Sequence, residues 1–536
     1  MATRGHRTAA FAALASRSYP LLNPQALSAH PALLLSLPLG LGLSLLVEQG
    51  LSPRPQRFWA RPRSAIAIHL ALWTLLYGLL LLSLQRPWFA FGVTLALQLF
   101  LIVVNNVKVD ALKEPFLVQD FDYFWDMLKH PRLYIPFFGL WRSLIFSGGG
   151  LAVIVGGLWL EPRLTDQGLA PGPFYGALLV LLGVAALTLL AVNRRPGLSA
   201  FDPDADFRRL GQLACFWHYG RALFGDAPLP AGAACFEPPA HPPEPAALPN
   251  LVLVQSESFA DPRRLSDAVA PSLLANYDRL RGEARQQGRL TVPAWGANTV
   301  RTECAVLTGL TSTALGIHAF SPYRTLARQA LPNLAGYLKT LGYRTLCIHP
   351  YPAGFYLRET VFPRLGFDQF IDIGAFAESD KQGQYTGDLA LAERISTQLR
   401  EASDQPLFIF VITMENHGPL HLEREDPALT RTLCRGPLPE GCSDLAVYLG
   451  HIRNADRMIE QLATELAAAP RPGVLGWYGD HLPIMPAVYQ QLGVPDGRTD
   501  YLIWRSDRRR LSSPAQDLRA DQLPAALIQQ LLDSRG

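Results

Sequence analysis

Long runs of uncharged, apolar residues occupy much of the first 200 residues and limit what this half of the chain can fold into. A helix that crosses a bilayer needs about 20 apolar residues, with about 17 as the lower limit. Five segments meet or approach that length: Pro31–Val47, Ser64–Leu84, Pro87–Val104, Leu144–Leu160 and Phe174–Val192. We therefore predict an N-terminal multi-pass α-helical membrane domain over residues 1–193, with about five helices.

The segment between the third and fourth apolar runs has an amphipathic pattern. Phe121, Phe124, Trp125 and Leu128 fall on one face of a helix, with aspartates opposite. This pattern predicts a helix that lies in the membrane interface. A short soluble helix packed on the next domain is the alternative.

The distribution of charge and cysteine gives opposing indications of orientation. Short loops rich in Lys and Arg favour the cytoplasm, and two such loops lie at residues 51–63 and 105–143. Five spans would then leave the C-terminal half in the cytoplasm. All six cysteines follow residue 200, and Cys434 and Cys442 bracket a short loop, as a disulfide in an oxidising compartment would. Unpaired, buried thiols are the alternative. The net charge of +3 and the scattered basic residues give no reason to expect a nucleic-acid partner.

The second half of the chain changes to short apolar runs that alternate with helical patterns. Residues 194–249 are predicted to be a linker, with an amphipathic helix at Phe207–Phe224 and a Pro-rich end. Beyond it, strands are predicted at Leu251–Val254, Thr345–Ile348, Leu407–Thr413 and Val474–Tyr478. Helices are predicted at Leu331–Leu341, Leu389–Arg400 and Tyr448–Leu466. This alternation predicts an α/β domain over residues 250–536 with a mostly parallel central sheet.

Three predicted strands are followed directly by residues that can bind metal or move protons. Glu257 follows the first strand, His417 follows Leu407–Thr413, and Asp480 and His481 follow Val474–Tyr478. Ligands of such sheets bind at the carboxyl ends of the strands. Each residue has a structural alternative, as a solvated strand end, a loop hydrogen-bonder or a turn. Together, the carboxylates and the imidazole suit a divalent cation such as Mn²⁺ or Zn²⁺.

The segment Gly296–Glu303 places the hydroxyl of Thr299 in a small turn before an apolar, helix-like run at Glu303–Leu310. One interpretation is structural, with Asn298 or Thr299 as the N-cap of that helix. The other is a nucleophile, which requires a base or a metal because an unassisted hydroxyl is weakly nucleophilic. Glu257, Asp480 and His481 could bind that metal.

Four segments together resemble a known family. They are Asn250–Glu257, Gly296–Glu303, Glu415–His417 and Tyr478–His481. The chain is similar to the lipoteichoic acid synthase and phosphoglycerol transferase family of the alkaline phosphatase/sulfatase superfamily. The run Val-Arg-Thr-Glu after Thr299 departs from the Ser-Asp-Ser-Glu of the Gram-positive synthases, and Tyr356 stands where those enzymes often have tryptophan. The pattern is nearer the Gram-negative phosphoglycerol transferases.

The resemblance implies a role for each matching residue. Thr299 would be the nucleophile and, with Glu257, Asp480 and His481, would bind one divalent metal, Mn²⁺ foremost, with Mg²⁺ or Zn²⁺ as alternatives. Substrate would contact His417, Arg358, Tyr356 and His349, with the guanidinium of Arg358 gripping phosphate oxygens bidentately.

The resemblance also implies a reaction and a location. The expected reaction is transfer of phosphoglycerol from phosphatidylglycerol to a glycan or polyol acceptor, through a phospho-threonine intermediate. Alternatives are a phosphoethanolamine transferase, a phosphodiesterase, or a non-catalytic membrane regulatory protein. The expected location is the bacterial inner membrane, with a periplasmic or extracellular catalytic domain, against the orientation that the Lys and Arg count favours.

Overall fold

A computed structural model describes residues 30–121, 140–194, 199–225, 227–239, 243–401, 405–507 and 514–532. The chain forms two compact units, residues 1–226 and 227–536. The predicted interfacial helix at Phe121–Leu128 lies outside the described residues, apart from Phe121.

Within the residues that the structure describes, all regular structure of the first unit is helical. Its long helices are α1 (Pro31–Val47), α2 (Arg63–Leu84), α3 (Pro87–Leu112), α4 (Leu140–Leu160) and α5 (Pro171–Asn193). By length and composition, α1, α2, α3 and α5 can cross a membrane. The predicted span at Leu144–Leu160 lies in α4, whose apolar part, Ser147–Leu160, is shorter than those four. Four membrane-spanning helices are therefore supported, and the fifth stays a prediction.

The predicted amphipathic helix Phe207–Phe224 is two helices, α6 (Pro203–Leu210) and α7 (Gln212–Leu223). The break falls at Gly211, which has φ = 82° and where a Cβ would lie 2.3 Å from Nη1 of Arg61. Arg61 forms a buried ion pair with Glu48, and Glu48 also accepts a hydrogen bond from the backbone N–H of Gln212 at 2.9 Å. Both helices therefore belong to the first unit, and the predicted linker, residues 194–249, divides between the two units.

The second unit contains an eight-stranded sheet with the spatial order β10-β2-β9-β8-β1-β7-β3-β4. These strands are β1 (Asn250–Ser256), β2 (Gln286–Thr291), β3 (Arg344–Ile348), β4 (Gln369–Ile371), β7 (Leu407–Ile412), β8 (Gly473–Gly479), β9 (Thr499–Arg505) and β10 (Leu518–Arg519). Strands β5 (Lys381–Gln382) and β6 (Tyr385–Thr386) form a separate hairpin. Five pairings in the large sheet are parallel, and β9 pairs antiparallel with both β2 and β8. The predicted mostly parallel sheet is confirmed.

Hydrophobic cores cover both faces of this sheet. Leu251 and Leu253 of β1 point into one core, whereas Val252 and Val254 point into the other, as alternation along a strand requires. The covering helices are α8 (Ala275–Glu283), α9 (Thr299–Thr308), α10 (Ser312–Leu315), α11 (Pro322–Leu326), α12 (Leu334–Thr340), α13 (Arg358–Leu365), α14 (Asp388–Arg400), α15 (Pro427–Leu433), α16 (Ser443–Ala468), α17 (Pro486–Leu492) and α18 (Leu523–Leu532).

Three predicted helix starts are wrong. The helix predicted at Tyr448–Leu466 begins five residues earlier, at Ser443. The helix predicted at Leu331–Leu341 begins at Leu334, because the side chain of Asn333 caps it by accepting a hydrogen bond from the N–H of Gly336. The helix predicted at Glu303–Leu310 begins four residues earlier, at Thr299.

All six cysteines are free, so Cys434 and Cys442 are not joined in a disulfide. Cys434 forms a β-bridge with Val269, while Cys442 is the residue before α16. The alternative interpretation, unpaired thiols, describes these two side chains.

Candidate active site

Two carboxylates and one imidazole meet at the carboxyl edge of the sheet. Glu257 follows β1, and Asp480 and His481 follow the adjacent strand β8. Each offers one ligand atom, and these atoms all lie within 4.8 Å of one another. All three side chains are buried. Carboxylate oxygens with an imidazole nitrogen suit a divalent cation, so these residues form a candidate metal site.

Backbone hydrogen bonds orient Asp480 towards this site. Its Oδ1 accepts from the N–H of Ser258 at 2.8 Å and from the N–H of His481 at 2.9 Å. Its Oδ2 has no hydrogen-bond partner among the described residues and lies 3.3 Å from Nε2 of His481. Burial, followed by the nearby Glu257, raises the pKa of Asp480 to about 7. A buried carboxylate beside a second one is costly unless a cation lies between them. The residues therefore fit a divalent metal.

The ring of His481 is oriented by contacts at its other nitrogen. Nδ1 lies 3.1 Å from the carbonyl oxygen of Leu482 and 3.2 Å from Oγ of Ser258. An N–H at Nδ1 donates to the carbonyl and leaves the lone pair on Nε2, which faces Glu257 at 3.4 Å. Burial opposes the charged imidazolium, but Asp480 and Glu257 raise the pKa of His481 overall. The two carboxylates thus favour positive charge at this point, on the imidazolium or on a cation bound by Nε2.

Gly479 allows the β1 and β8 loops to approach each other. A Cβ at this position would lie 1.9 Å from the carbonyl oxygen of Phe259. Any larger residue would therefore push apart the loops that carry Glu257 and Asp480.

Thr299 is the first residue of α9, and the N-cap position belongs to Asn298, whose backbone is left-handed at φ = 65°. The hydroxyl of Thr299 faces the metal-binding group, with Oγ1 3.5 Å from Nε2 of His481. The first turn of a helix favours negative charge because its N–H groups point outwards. The N–H groups of this first turn would therefore stabilise the negative charge of an alkoxide or a phosphate ester at Thr299.

Thr302, one turn further along α9, fixes this helix to the metal loop. Its Oγ1 donates to the carbonyl oxygen of Asp480 at 2.7 Å, and its side chain is fully buried. Because residues three apart lie on one helix face, this bond sets the distance between Thr299 and Asp480.

Arg358 is buried beside this group and is held by Glu303 of α9. Nη2 donates to Oε2 of Glu303 at 2.8 Å and Nε to Oε1 at 3.3 Å, while Tyr323 donates to the same carboxylate. Nη1 lies 3.3 Å from Nε2 of His349. Glu303 therefore occupies the Nε–Nη2 edge of Arg358, so a bidentate phosphate grip would have to use the Nη1–Nη2 edge, beside His349.

The other predicted substrate residues surround Arg358. Burial, followed by the charge of Arg358, lowers the pKa of His349 well below its usual value, so this imidazole is neutral. The guanidinium of Arg358 lies 5.4 Å from the ring centre of Tyr356. His417 follows the neighbouring strand β7. Burial raises the pKa of Tyr356 to about 12, and the negative charge of Glu257 contributes to that rise. All eight predicted site residues thus lie at the carboxyl edge of the sheet, in two groups within electrostatic range.

Several supporting residues escaped the sequence interpretation. Glu303 carried a detectable signal, as a carboxylate in the otherwise apolar part of α9, although its partners Arg358 and Tyr323 lie on other helices. Ser258 and Thr302 carried no such signal in the sequence, because their roles depend on hydrogen bonds to Asp480, which is distant in the chain.

Comparison with known proteins gives a family match over most of the second unit. Residues 249–531 match the Sulfatase family, which confirms the superfamily predicted from the sequence. The chain is 27% identical over 472 residues to the capsular polysaccharide biosynthesis protein RkpI of Rhizobium meliloti, covering 83% of this chain and 82% of that protein. It is 30% identical over 253 residues to a putative cyclic beta-1,2-glucan modification protein of the same organism, covering 47% of this chain and 38% of that protein.

A solved membrane protein shares the architecture of both units. The integral membrane protein lipooligosaccharide phosphoethanolamine transferase A (EptA) from Neisseria meningitidis aligns with a TM-score of 0.52 at 14% identity, over 88% of this chain and 96% of its own. This likeness concerns the fold, which joins helices of membrane-spanning length to a sulfatase-like domain.

Proposed function

The chain belongs to the sulfatase family. We propose that it is a phosphotransferase of the alkaline phosphatase superfamily and that it moves phosphoglycerol from phosphatidylglycerol to a glycan. The observation that carries this proposal is the hydroxyl of Thr299, at the start of a helix and 3.5 Å from a histidine that closes a candidate metal site. Glu257, Asp480 and His481 would hold the metal, with Mn²⁺ as the first choice. The metal, when bound, lowers the pKa of a coordinated hydroxyl and offsets charge on phosphate oxygens.

In the first half-reaction, Oγ1 of Thr299 attacks the phosphorus of the lipid headgroup. The threonine hydroxyl gives up its proton, a bond forms between Oγ1 and phosphorus, and the bond from phosphorus to diacylglycerol breaks. The diacylglycerol oxygen takes up a proton, so the step is balanced. Glycerol phosphate is then esterified to Thr299. The positive end of α9 and the charge of Arg358 would stabilise the negative charge that builds up on the phosphate oxygens in the transition state.

In the second half-reaction, a hydroxyl of the acceptor attacks the same phosphorus. The acceptor hydroxyl gives up its proton as the bond from phosphorus to Thr299 breaks. The threonine oxygen takes up a proton, so the threonine is regenerated. Attack by water instead would give free glycerol phosphate, and the protein would then act as a phosphodiesterase.

Two further features support the choice of donor and acceptor. The segment that contains Tyr356 and Arg358 resembles the phosphoglycerol-binding segment of the phosphoglycerol transferases, and the guanidinium lies over the tyrosine ring. The names of the two Rhizobium relatives concern a capsular polysaccharide and a cyclic glucan, which supports a glycan acceptor. A phosphoethanolamine donor is the second candidate, because EptA shares the fold.

We further propose that the catalytic unit lies on the outer side of the bacterial inner membrane.

The test uses the full-length protein in vesicles that contain phosphatidylglycerol and phosphatidylethanolamine, each with a distinguishable headgroup label, and a glucan acceptor. We expect diacylglycerol release and transfer of the glycerol label to the glucan in equal amounts. Thr299→Ala should do neither. Transfer of the ethanolamine label would overturn the choice of donor, and full activity of Thr299→Ala would overturn the nucleophile. Protease digestion of sealed inverted vesicles tests the location, since a periplasmic domain would be protected.

A further inference from the structure

A cavity of about 300 Å³ lies beside the candidate metal site, within the second unit. Its wall includes Ala260 and Asp261, which follow Glu257 closely, and Leu482 and Pro483, which follow His481 directly. This volume is at the small end of ligand sites, which occupy about 300–1,000 Å³. The cavity and the metal-binding group thus share two loops.

The sheet order puts the cavity on a defined side of the reaction centre. The metal-binding residues follow the central strands β1 and β8, and the substrate residues predicted for the donor follow β7 and β3 on one side. The cavity lies on the other side, where Arg289 of β2 and the segment before β9 line it. A molecule that reaches the phosphorus at Thr299 from this side would extend away from Arg358.

The charged side chains of this cavity are held in ion pairs. Arg264 donates to the carboxylate of Asp500 at 2.7 Å, and both Arg289 and Arg498 donate to Asp496, at 2.9 and 2.7 Å. Asp261 is the second carboxylate of the wall and accepts from Nε of Arg263 at 2.8 Å. Each of these charged groups thus already has an oppositely charged partner. Their ion pairs hold planar donors and acceptors in fixed positions, which suits the neutral hydroxyls of a sugar.

The remaining wall supplies an apolar surface. Tyr489, Leu265, Leu492 and Val494 contribute to it, and the indole ring of Trp295 packs against Tyr489 with ring centres 6.1 Å apart. Binding sites combine such apolar surface with a few well-placed polar groups. The cavity therefore has both parts of a site for a sugar ring.

We propose that this cavity binds a neutral sugar residue of the acceptor glycan and so sets which hydroxyl reaches the phosphorus. The inference rests on the proposed function, because it names the acceptor side of the same site. It assigns the β2–β9 side to the acceptor and leaves the β3–β7 side to the lipid headgroup.

The test narrows the cavity at its rim without touching the proposed catalytic residues. Val494 lines the cavity with 60% of its surface exposed, so Val494→Trp should fold while blocking entry. Ala467→Trp is the matched control, since it adds the same side chain at an exposed position near the end of α16. The substrates are phosphatidylglycerol vesicles and a β-1,2-linked glucose oligosaccharide.

We expect Val494→Trp to raise the KM for the oligosaccharide at least tenfold, while diacylglycerol release without acceptor stays within twofold of the parent protein. Ala467→Trp should change neither. Unchanged transfer by Val494→Trp, with normal diacylglycerol release, would overturn the acceptor site and leave the proposed function intact. If the parent protein releases no diacylglycerol, the proposed function itself fails.

A direct binding measurement covers the case in which Val494→Trp does not fold. Titration of the parent protein with the oligosaccharide should change the tryptophan fluorescence, because Trp295 packs on the cavity wall, and Trp295→Phe should remove that change. Saturable binding of sn-glycerol phosphate that competes with the oligosaccharide would overturn the assignment to a neutral sugar, as would absence of any oligosaccharide binding.

Discussion

Replacing Glu303 with glutamine should remove the ion pair that holds Arg358 in place while leaving the candidate metal site intact. Glu303 is fully buried and accepts hydrogen bonds from Nη2 and Nε of Arg358 and from the hydroxyl of Tyr323. Glutamine has nearly the same shape, but its amide is neutral and one of its two terminal atoms is a donor. The guanidinium would then be a buried charge that faces an N–H group.

The size of the effect follows from the burial of the pair. Removing one partner of a buried ion pair costs about 3–5 kcal/mol. The lower end applies here, because Nη1 of Arg358 keeps the neutral acceptor His349 at 3.3 Å. A cost of about 3 kcal/mol corresponds to about 100-fold in an equilibrium or rate constant. We expect this cost to be divided between the free energy of unfolding and kcat/KM for the lipid donor.

The assay measures both parts in one preparation. Thermal unfolding of the detergent-solubilised protein reports stability, and diacylglycerol release from phosphatidylglycerol vesicles reports the first half-reaction. Glu303→Asp, which keeps the charge, should recover part of the activity. Tyr323→Phe removes a hydrogen bond to a charged group, worth about 1.5–3 kcal/mol, but leaves the ion pair, so its kcat/KM should fall less. The Kd for Mn²⁺ should be unchanged in all three. Parent-like stability and kcat/KM in Glu303→Gln would refute the proposed support of Arg358.

Three further outcomes are expected. Thr299→Ala should abolish diacylglycerol release and weaken Mn²⁺ binding only modestly, because the two carboxylates and the imidazole remain; residual turnover would count against the nucleophile. Gly479→Ala should lower both the melting temperature and the Mn²⁺ affinity, since its Cβ would lie 1.9 Å from a backbone carbonyl oxygen, and an unchanged protein would contradict the packing. Burial, followed by the charge of Glu415, raises the pKa of Asp388 well above its usual value, so the folded state loses stability as pH rises above about 4. Asp388→Asn escapes that loss, and its melting-temperature advantage should grow from pH 5 to pH 8, whereas a constant difference would contradict this.

The sequence was sufficient for the central strands and for the edge at which the site lies. Strands β1, β7 and β8 are buried on both faces and consist largely of apolar residues, so each was recognisable alone. Glu257, Asp480 and His481 follow two of these strands directly, so the topology alone brings them to one edge.

Other strands lacked such a pattern. β2 reads Gln-Gln-Gly-Arg-Leu-Thr, whose polar side chains are paired with groups distant in the chain, including an ion pair from Arg289 to Asp496. The two antiparallel pairings of β9 likewise depend on neighbours far apart in sequence.

The support of the site was the least predictable part. Hydrogen bonds from Ser258 and Thr302 to Asp480 join residues about 180 or more positions apart, and no local periodicity encodes such a contact. The engagement of Arg358 by Glu303 depends in the same way on how α9 and α13 pack against α11, which lies between them in the chain. A resemblance over short motifs identifies which residues belong to the site. It does not show which of their atoms already form hydrogen bonds with other side chains.

The central claim is tested most directly by the mass added to Thr299 during turnover. The full-length protein is incubated with phosphatidylglycerol and Mn²⁺ without acceptor, quenched in acid and digested, and the peptide that contains Thr299 is analysed by mass spectrometry. We predict the mass of glycerol phosphate on Thr299, with none in Thr299→Ala. Substituting phosphatidylethanolamine as the sole lipid should give no adduct. An adduct of phosphoethanolamine on Thr299, or of glycerol phosphate on a different residue, would contradict the account.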